Sequence, residues 1–430
     1  MQRVLVLDKQ KHPLMPCHPA RARQLLREGK AAVFHRAPFT IMLKERKGGE
    51  TQPVEIKLDP GSKTTGIALV VTGQRGRRVV WAAELRHRGQ RVKKLLDKRR
   101  ATRRSRRNRK TRYRKARFLN RTRKAGWLPP SLESQVANVE TWVGRLRRWC
   151  PVTGLGLELV KFDTQQLDQP EIAGVEYQQG TLHGYEVREY LLEKWQRRCA
   201  YCGAKDVPLQ VEHIVPRARG GSNRVSNLTL ACESCNQKKG SQTASEFGYP
   251  HIQAQAKQPL KDAAAVNATR WRLYERLKAT GLPIACSSGG RTKFNRTQQD
   301  YPKAHWIDAA CVGETGSQVQ LDPEMQVLSI TAMGHGTRQM CGANKYGFPI
   351  RHRTRQKRVR GFRTGDLVRA NVPRGKHQGP HTGRVVVRTR GSFCVGEKDG
   401  IGWRHCAIVQ RADGYDYHTR RGERGFLHCR

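Results

Sequence analysis

Residues 199–240 read CAYCGAKDVPLQVEHIVPRARGGSNRVSNLTLACESCNQKKG. Two Cys-x-x-Cys pairs, Cys199/Cys202 and Cys232/Cys235, stand at the ends of this stretch. Four thiolates in two such pairs are the ligand set of a closed, tetrahedral structural zinc site. Between the pairs lie Glu212-His213-Ile214-Val215-Pro216, then Gly220-Gly221-Ser222, then Ser226-Asn227-Leu228, and Asn236 directly follows the last cysteine. A histidine at His213 can take a proton from water near neutral pH. Glu212 and Asn236 offer oxygen ligands of the kind that suits Mg²⁺ at a phosphate. A plain zinc ribbon needs the four cysteines, but it does not require Glu-His, Asn-Leu and Cys-Asn-x-x-Lys-Gly in this order.

The surroundings of this stretch are strongly basic. The 430 residues carry 83 Lys+Arg against 35 Asp+Glu, a formal net charge of +48. Such an excess implies a polyanionic partner, nucleic acid first. A membrane is the rival, but no apolar run of spanning length occurs. The start, MQRVLVLDKQKHPLMPCHPA, lacks the pattern of a secretory signal. The eight cysteines outside the two pairs are scattered singly, which fits reduced thiols in a cytoplasmic protein.

Before the cysteine stretch, VLVLD reads as a strand and Pro13-Leu14-Met15-Pro16 as a tight extended segment. Pro19 opens a helix that Gly29 stops, and AAVFHRAPFTIML gives two more short strands. VEIKL (54–58) is a strand running into Asp59-Pro60-Gly61, followed by the strands IALVV (67–71) and RVVWAAEL (78–85). Asp59 thus sits at a strand end, beside a glycine turn that lets a backbone approach closely. Asp, Pro and Gly are also ordinary turn residues. From 86 to 124, 21 of 39 residues are Lys or Arg and only Asp97 is acidic. A helix of that composition has no apolar stripe to bury, and its charges become binding energy only against phosphates. After Pro129-Pro130, Leu132, Val136, Val139, Val143, Leu146 and Cys150 recur at helical spacing. GLGLELVKFD (154–163) follows as a strand with Glu158 among apolar neighbours, where a carboxylate is costly unless paired or metal-bound.

Beyond the cysteines, residues 260–280 read as a helix, 283–286 as a strand and 289–297 as a basic loop. In the helix at 301–310, His305 and Asp308 share a face. From about 313 onward the chain is basic, with short strands and glycine turns, the signature of a small β-barrel.

The cysteine stretch resembles the HNH endonuclease family, whose fold is a β-hairpin followed by a helix around one divalent metal. By that resemblance His213 is the general base, Asn227 steadies the loop, and Asn236 stands where many members carry His. Asp59, Glu158, His305 and Asp308 lie on a strand, a later strand and a helix. This resembles the split RuvC-type nuclease, whose three segments fold together. The resemblance implies that Asp59, Glu158 and Asp308 hold two Mg²⁺, with His305 as base or ligand, and that Glu212 and Asn236 hold one more.

An arginine-rich helix between the first two segments and an HNH module between the second and third is similar to the IscB family of transposon-encoded RNA-guided nucleases, and Pro13–Pro16 matches its PLMP motif. The fold class implied is multidomain α/β: a split ribonuclease H-like (RuvC) core with an inserted ββα-metal HNH module, an arginine-rich bridge helix and a C-terminal small β-barrel. The expected divisions are a PLMP module (1–52), RuvC-like segments I (53–85), II (126–190) and III (251–312), the bridge helix (86–125), the HNH module (191–250) and a basic C-terminal region (313–430). The resemblance implies cleavage of double-stranded DNA chosen by pairing with a long structured guide RNA (an omega RNA) beside a short flanking motif. HNH would cut the guide-paired strand and the RuvC-like site the displaced strand. The expected state is a monomer in a ribonucleoprotein, cytoplasmic in a prokaryote and on the nucleoid when bound to target. Hinges are expected near 190–198 and 241–258. The alternatives are a guide-independent, homing-type HNH nuclease and a non-cleaving RNA-guided binder.

Overall fold

The computed structural model describes residues 2–108, 126–159, 187–257, 263–334, 341–344, 346, 348–352 and 356–421. A four-stranded sheet opens the chain, from β1 (Val4–Leu7), β2 (Pro13–Cys17), β3 (Ala31–His35) and β4 (Thr40–Leu43), with α1 (Pro19–Arg27) between β2 and β3. The Pro-Leu-Met-Pro segment is β2, antiparallel to β1. Gly29, at φ 70°, ends α1 as expected.

β5 (Val54–Pro60), β6 (Thr64–Gly73) and β7 (Gly76–Arg86) form an antiparallel meander. The arginine-rich segment begins α2 (Gly89–Asn108), which buries no large apolar side chain; Leu95 is 46% exposed. Its expected continuation to residue 124 lies outside the described residues. α3 (Pro130–Trp149) buries Val136, Val139, Trp142, Val143 and Leu146 on one stripe. β8 (Val152–Glu158) then joins β5 in parallel.

Next come α4 (Val187–Lys194), the hairpin of β9 (Leu209–His213) and β10 (Leu228–Cys232), and two short helices, α5 (Glu233–Lys239) and α6 (His251–Lys257). They share a core that runs from Tyr190 to Ala256. The expected division at 250 therefore cuts through this module, because Ile252 and Ala256 of α6 bury against it. α7 (Ala263–Lys278), β11 (Ile284–Ser287), α8 (Gly289–Gln298) and α9 (His305–Ala310) return the chain to the first core, followed by β12 (Val319–Gln320) and β13 (Gln326–Ala332).

One eight-stranded sheet runs β11-β8-β5-β6-β7-β13 and then the strand Tyr415–Arg421, with β12 also on β7. The expected boundary at 313 is thus corrected. β13 is parallel to β7, and Tyr415–Arg421 is antiparallel to β13, so both lie in the central sheet. Strand alternation sorts the two faces. Leu58, Ile67, Leu69 and Leu157 pack under α3 and α7, while Ala68, Val70 and Ala82 pack under α9. After two short two-stranded pairs, Cys341–Ala343 with Pro349–His352 and Arg358–Val359 with Phe362–Arg363, the strands Leu367–Val372, Gly379–Val386, Ser392–Val395, Lys398–Gly402 and Cys406–Gln410 form a five-stranded antiparallel sheet around Phe393. Among the described residues no helix is long and apolar enough to cross a membrane.

Candidate active sites

The first site is built where two parallel strands end side by side. Leu58 pairs with Leu157, so the next residues, Asp59 and Glu158, lie adjacent on the face that α9 covers. Both are buried, Asp59 to 9% and Glu158 to 7% exposure. β8 runs between β5 and β11, so Glu158 stands on an interior strand of the sheet. α9 adds His305, whose Nδ1 lies 3.3 Å from Asp59 Oδ2, and Asp308.

The three segments thus meet at one place. Burial first, and then the negative charge of Asp59, push Glu158 up to about 7 and Asp308 up to about 6. The hydrogen bond to Asp59 raises His305.

What lets α9 come so close is Gly66. A Cβ there would meet the carbonyl oxygen of His305 at 1.8 Å. Lys57, fully buried on the same face, donates to Val312 O at 2.9 Å and to Ala310 O at 3.3 Å, pinning the end of α9 to β5. Asn295 of α8 holds the same end through Cys311 O and Gly313 O, at 2.9 and 2.7 Å.

Two arginines that sequence reading did not single out answer the carboxylates. Arg270 of α7 lies 3.3 Å from Glu158 Oε1 and donates to Pro60 O. Arg296 of α8 lies 2.9 Å from Asp308 Oδ1. The segment 289–297, expected as a loop, is instead the helix α8, capped by Ser288, whose hydroxyl accepts from Arg291 N. Its buried residues are Gly289, Thr292, Asn295 and Arg296, so no apolar periodicity marked it.

The second site lies in the β9–β10–α5 module. The four sulfurs of Cys199, Cys202, Cys232 and Cys235 all lie within 4.8 Å of one another. Cys202 and Cys232 are 3.7 Å apart, near the ~3.8 Å edge of a tetrahedron with 2.3 Å Zn–S bonds. The Ser234 hydroxyl beside Cys232 lowers that thiol to about 6, while burial pushes Cys235 up to about 12. Thiols this close cannot all ionise without a cation between them, which fits a zinc ion. Among the described residues this is the one such group of ligand atoms; the carboxylates of the first site stand farther apart, with the guanidiniums against them. Hard oxygens that repel one another in a buried cleft nonetheless suit Mg²⁺.

Alternation along β9 puts Gln210 and Glu212 on the face under α5. There Asn236 donates to Gln210 Oε1 at 2.6 Å, and Lys239 reaches Glu212 Oε1 at 2.6 Å. Lys239 is buried and also holds His213 O, a role only the fold reveals. His213 turns to the other face, with Nε2 2.9 Å from Asn223 Oδ1. Asn227 accepts from Val215 N and donates to Val215 O and Ser222 O, closing the loop over Gly221.

Comparison with known proteins follows the same division. The family described as "RRXRR protein" matches residues 4–180, and "HNH endonuclease" matches residues 199–242. The chain carries an HNH endonuclease domain. Members of the HNH class are metal-dependent hydrolases.

Solved structures similar to it include Streptococcus thermophilus Cas9 in complex with the AGAA PAM. That match has 10% identity over 60% of this chain and 32% of that one, with TM-score 0.22. The Type II-C Cas9 enzyme from Actinomyces naeslundii matches at 19% identity over 44% and 32%, with TM-score 0.15. Scores this low carry no structural argument, and the chain spans about a third of the length of those Cas9 chains. No curated protein matches it.

Proposed function

We propose that this endonuclease is RNA-guided and cuts both strands of a DNA duplex, the HNH site the guide-paired strand and the Asp59/Glu158/Asp308 site the displaced strand. One observation carries the reading. The carboxylates come from three stretches of chain that meet at neighbouring strand ends and one helix, with the arginine helix and the HNH module inserted between those stretches. That is the split ribonuclease H-like order, and a guide-free HNH enzyme has no need of it. The five-stranded C-terminal sheet is then the region that holds RNA and reads a flanking motif.

In the HNH site, a proton on His213 Nε2 directed at Asn223 Oδ1 leaves Nδ1 to accept a proton from the attacking water. Asn227 fixes the loop that carries this pair. In the other site Asp59 orients His305. Mg²⁺ held by Asp59, Glu158 and Asp308 would supply a nucleophilic water and charge for the leaving oxygen; Glu212, ion-paired with the buried Lys239, and Asn236, bonded to Gln210, lie on the face away from His213 and do not fit a metal that serves that histidine. Zinc on the four cysteines would hold the HNH module together.

The test is to purify the protein from cells carrying its flanking DNA, sequence the RNA bound to it, and offer duplexes that match that RNA. Stoichiometric RNA and cleavage of matched duplexes alone is the expected result. Activity that persists without RNA would instead favour the guide-free enzyme.

A further inference from the structure

Where the arginine-rich helix leaves the sheet, three consecutive residues each hold a different element. His87 N donates to Lys63 O at 2.8 Å, on the turn between β5 and β6. Arg88 Nη1 donates to Met333 O at 2.6 Å, just past the end of β13. Gly89 opens α2 against the first turn of α3, where a Cβ would meet Ser131 O at 2.9 Å.

The His87 side chain belongs to neither nuclease site, yet its ring nitrogens are turned inward. Nε2 lies 2.7 Å from Thr65 Oγ1. Nδ1 is buried and has no partner among the described residues. His87 also lines a small cavity of about 20 Å³, with Ser62, Gln135 and Thr269 as its other polar groups and Val136 and Leu273 beside them. About 10–15 Å³ is enough for one water where polar partners exist, so a water there can give Nδ1 the partner it lacks. Gln135 Nε2 donates to Ser62 O at 3.1 Å and ties α3 to the same turn. Burial lowers His87 to about 4. The ring is therefore neutral near pH 7 and offers one donor and one acceptor, one for Thr65 and one for the water.

Thr65 links this corner to the acidic site. It is 1% exposed, and a hydroxyl so buried is costly without a partner. In the β5–β6 ladder Thr65 stands opposite Pro60, and Gly66 opposite Asp59. Alternation turns Thr65, with Ile67 and Leu69, to the side of α3 and α7, and Gly66, with Ala68, to the side of α9. His87 thus grips the ladder from behind at the step whose front carries Asp59 and receives α9.

Resting on the function proposed above, we propose that His87 is a positioning residue for the Asp59/Glu158/Asp308 site. Its hydrogen bond to Thr65 fixes the Asp59–Gly66 step, and with it the placement of Asp59 against α9. It touches no reacting group, so its loss lowers the rate of one cut and leaves DNA binding intact.

The experiment is single-turnover cleavage by the ribonucleoprotein, with saturating DNA and Mg²⁺ and the two strands of a matched duplex labelled differently. Two amides separate the two ring nitrogens, since a Gln side-chain nitrogen reaches the place of Nε2 and an Asn nitrogen only that of Nδ1. His87→Asn and Thr65→Val each lose the bond. Each should slow displaced-strand cutting by at least about tenfold, the low end of what losing a group that orients metal ligands costs. Reaction amplitude, half-saturation by DNA and the guide-paired rate should hold. His87→Gln should stay close to the wild-type rate, and the Thr65→Val/His87→Asn double variant should be no slower than either single change. Multiplying losses in the double variant, equal losses in the Asn and Gln variants, or a reduced amplitude at an unchanged rate constant would each overturn the proposal. Failure of the two-site reading itself is separately visible, as displaced-strand cutting that survives Asp59→Ala.

Discussion

Gly66→Ala separates positioning from chemistry, because the residue touches no reacting group. Its Cβ would stand 1.8 Å from His305 O, 2.3 Å from His305 C and 3.0 Å from Trp306 N. All three are backbone atoms of α9, so no side chain can swing away. Reaching the 3.4 Å of ordinary van der Waals contact requires a movement of 1.6 Å between β6 and α9. α9 carries His305 and Asp308, whereas Asp59 and Glu158 stay on their strands. A misplacement of about 1 Å is enough to cost about 100-fold in rate, or about 2.7 kcal/mol. Overpacking of this kind also destabilises a fold by about 1–3 kcal/mol, which the large sheet core can absorb. The assay is single-turnover nicking of a matched duplex with the two strands labelled differently. The expected outcome is a loss of at least about 100-fold on the displaced strand, with the guide-paired strand cut at the wild-type rate. Gly144→Ala is the control, since nothing lies within 4 Å of a Cβ there, on the exposed side of α3; it should leave both rates unchanged. A Gly66→Ala protein that cuts both strands normally would refute the claim that close approach of α9 builds the site.

His213→Ala should leave a nickase for the displaced strand and Asp59→Ala a nickase for the guide-paired strand, as read on denaturing gels; if either single change abolished both cuts in a folded protein, the two-site reading would be wrong. Cys199→Ser should lose bound zinc by metal analysis and unfold the module that shares its core; retained zinc with intact target-strand cutting would contradict the ligand assignment. Lys57 makes a prediction about pH, since burial lowers it from 10.5 to about 8. The unfolded chain binds the extra proton between these values, so this residue's penalty of about 3 kcal/mol, present below pH 8, lifts as pH rises towards 10.5. In denaturant melts across that window, wild type should gain about that amount of stability relative to Lys57→Met; a constant difference between the two proteins would show that Lys57 titrates normally.

The residues legible in the sequence are those whose local neighbourhood already made them odd. Glu158 was conspicuous among Leu157, Leu159 and Val160, and the four cysteines by their spacing. Asp59 was placed at a strand end by the alternation before it. The cations that complete both sites were hidden by abundance: in a chain with 83 Lys+Arg, nothing local distinguishes the buried Arg270, Arg296 and Lys239 from their solvated neighbours. Lys57 is the exception that could have been found, since it stands in the apolar strand VEIKL on the same face as Asp59. The boundary at 313 failed for a different reason. β13 has the length and composition of any short strand, and only its parallel pairing of Leu328 with Ala83 and Ile330 with Leu85 places it in the central sheet. A parallel partner needs a long crossover, and here the crossover contains the entire zinc module and α7 to α9. The same insertion explains the architecture. Everything between β7 and β13 is free to be elaborated provided that β8, β11 and α9 return to the sheet, and the three carboxylates ride on β5, β8 and α9. The acidic cluster is therefore fixed by the sheet, while His213 is carried by a hairpin that packs in a separate core, from Tyr190 to Ala256, so the two clusters are built by independent parts of the chain.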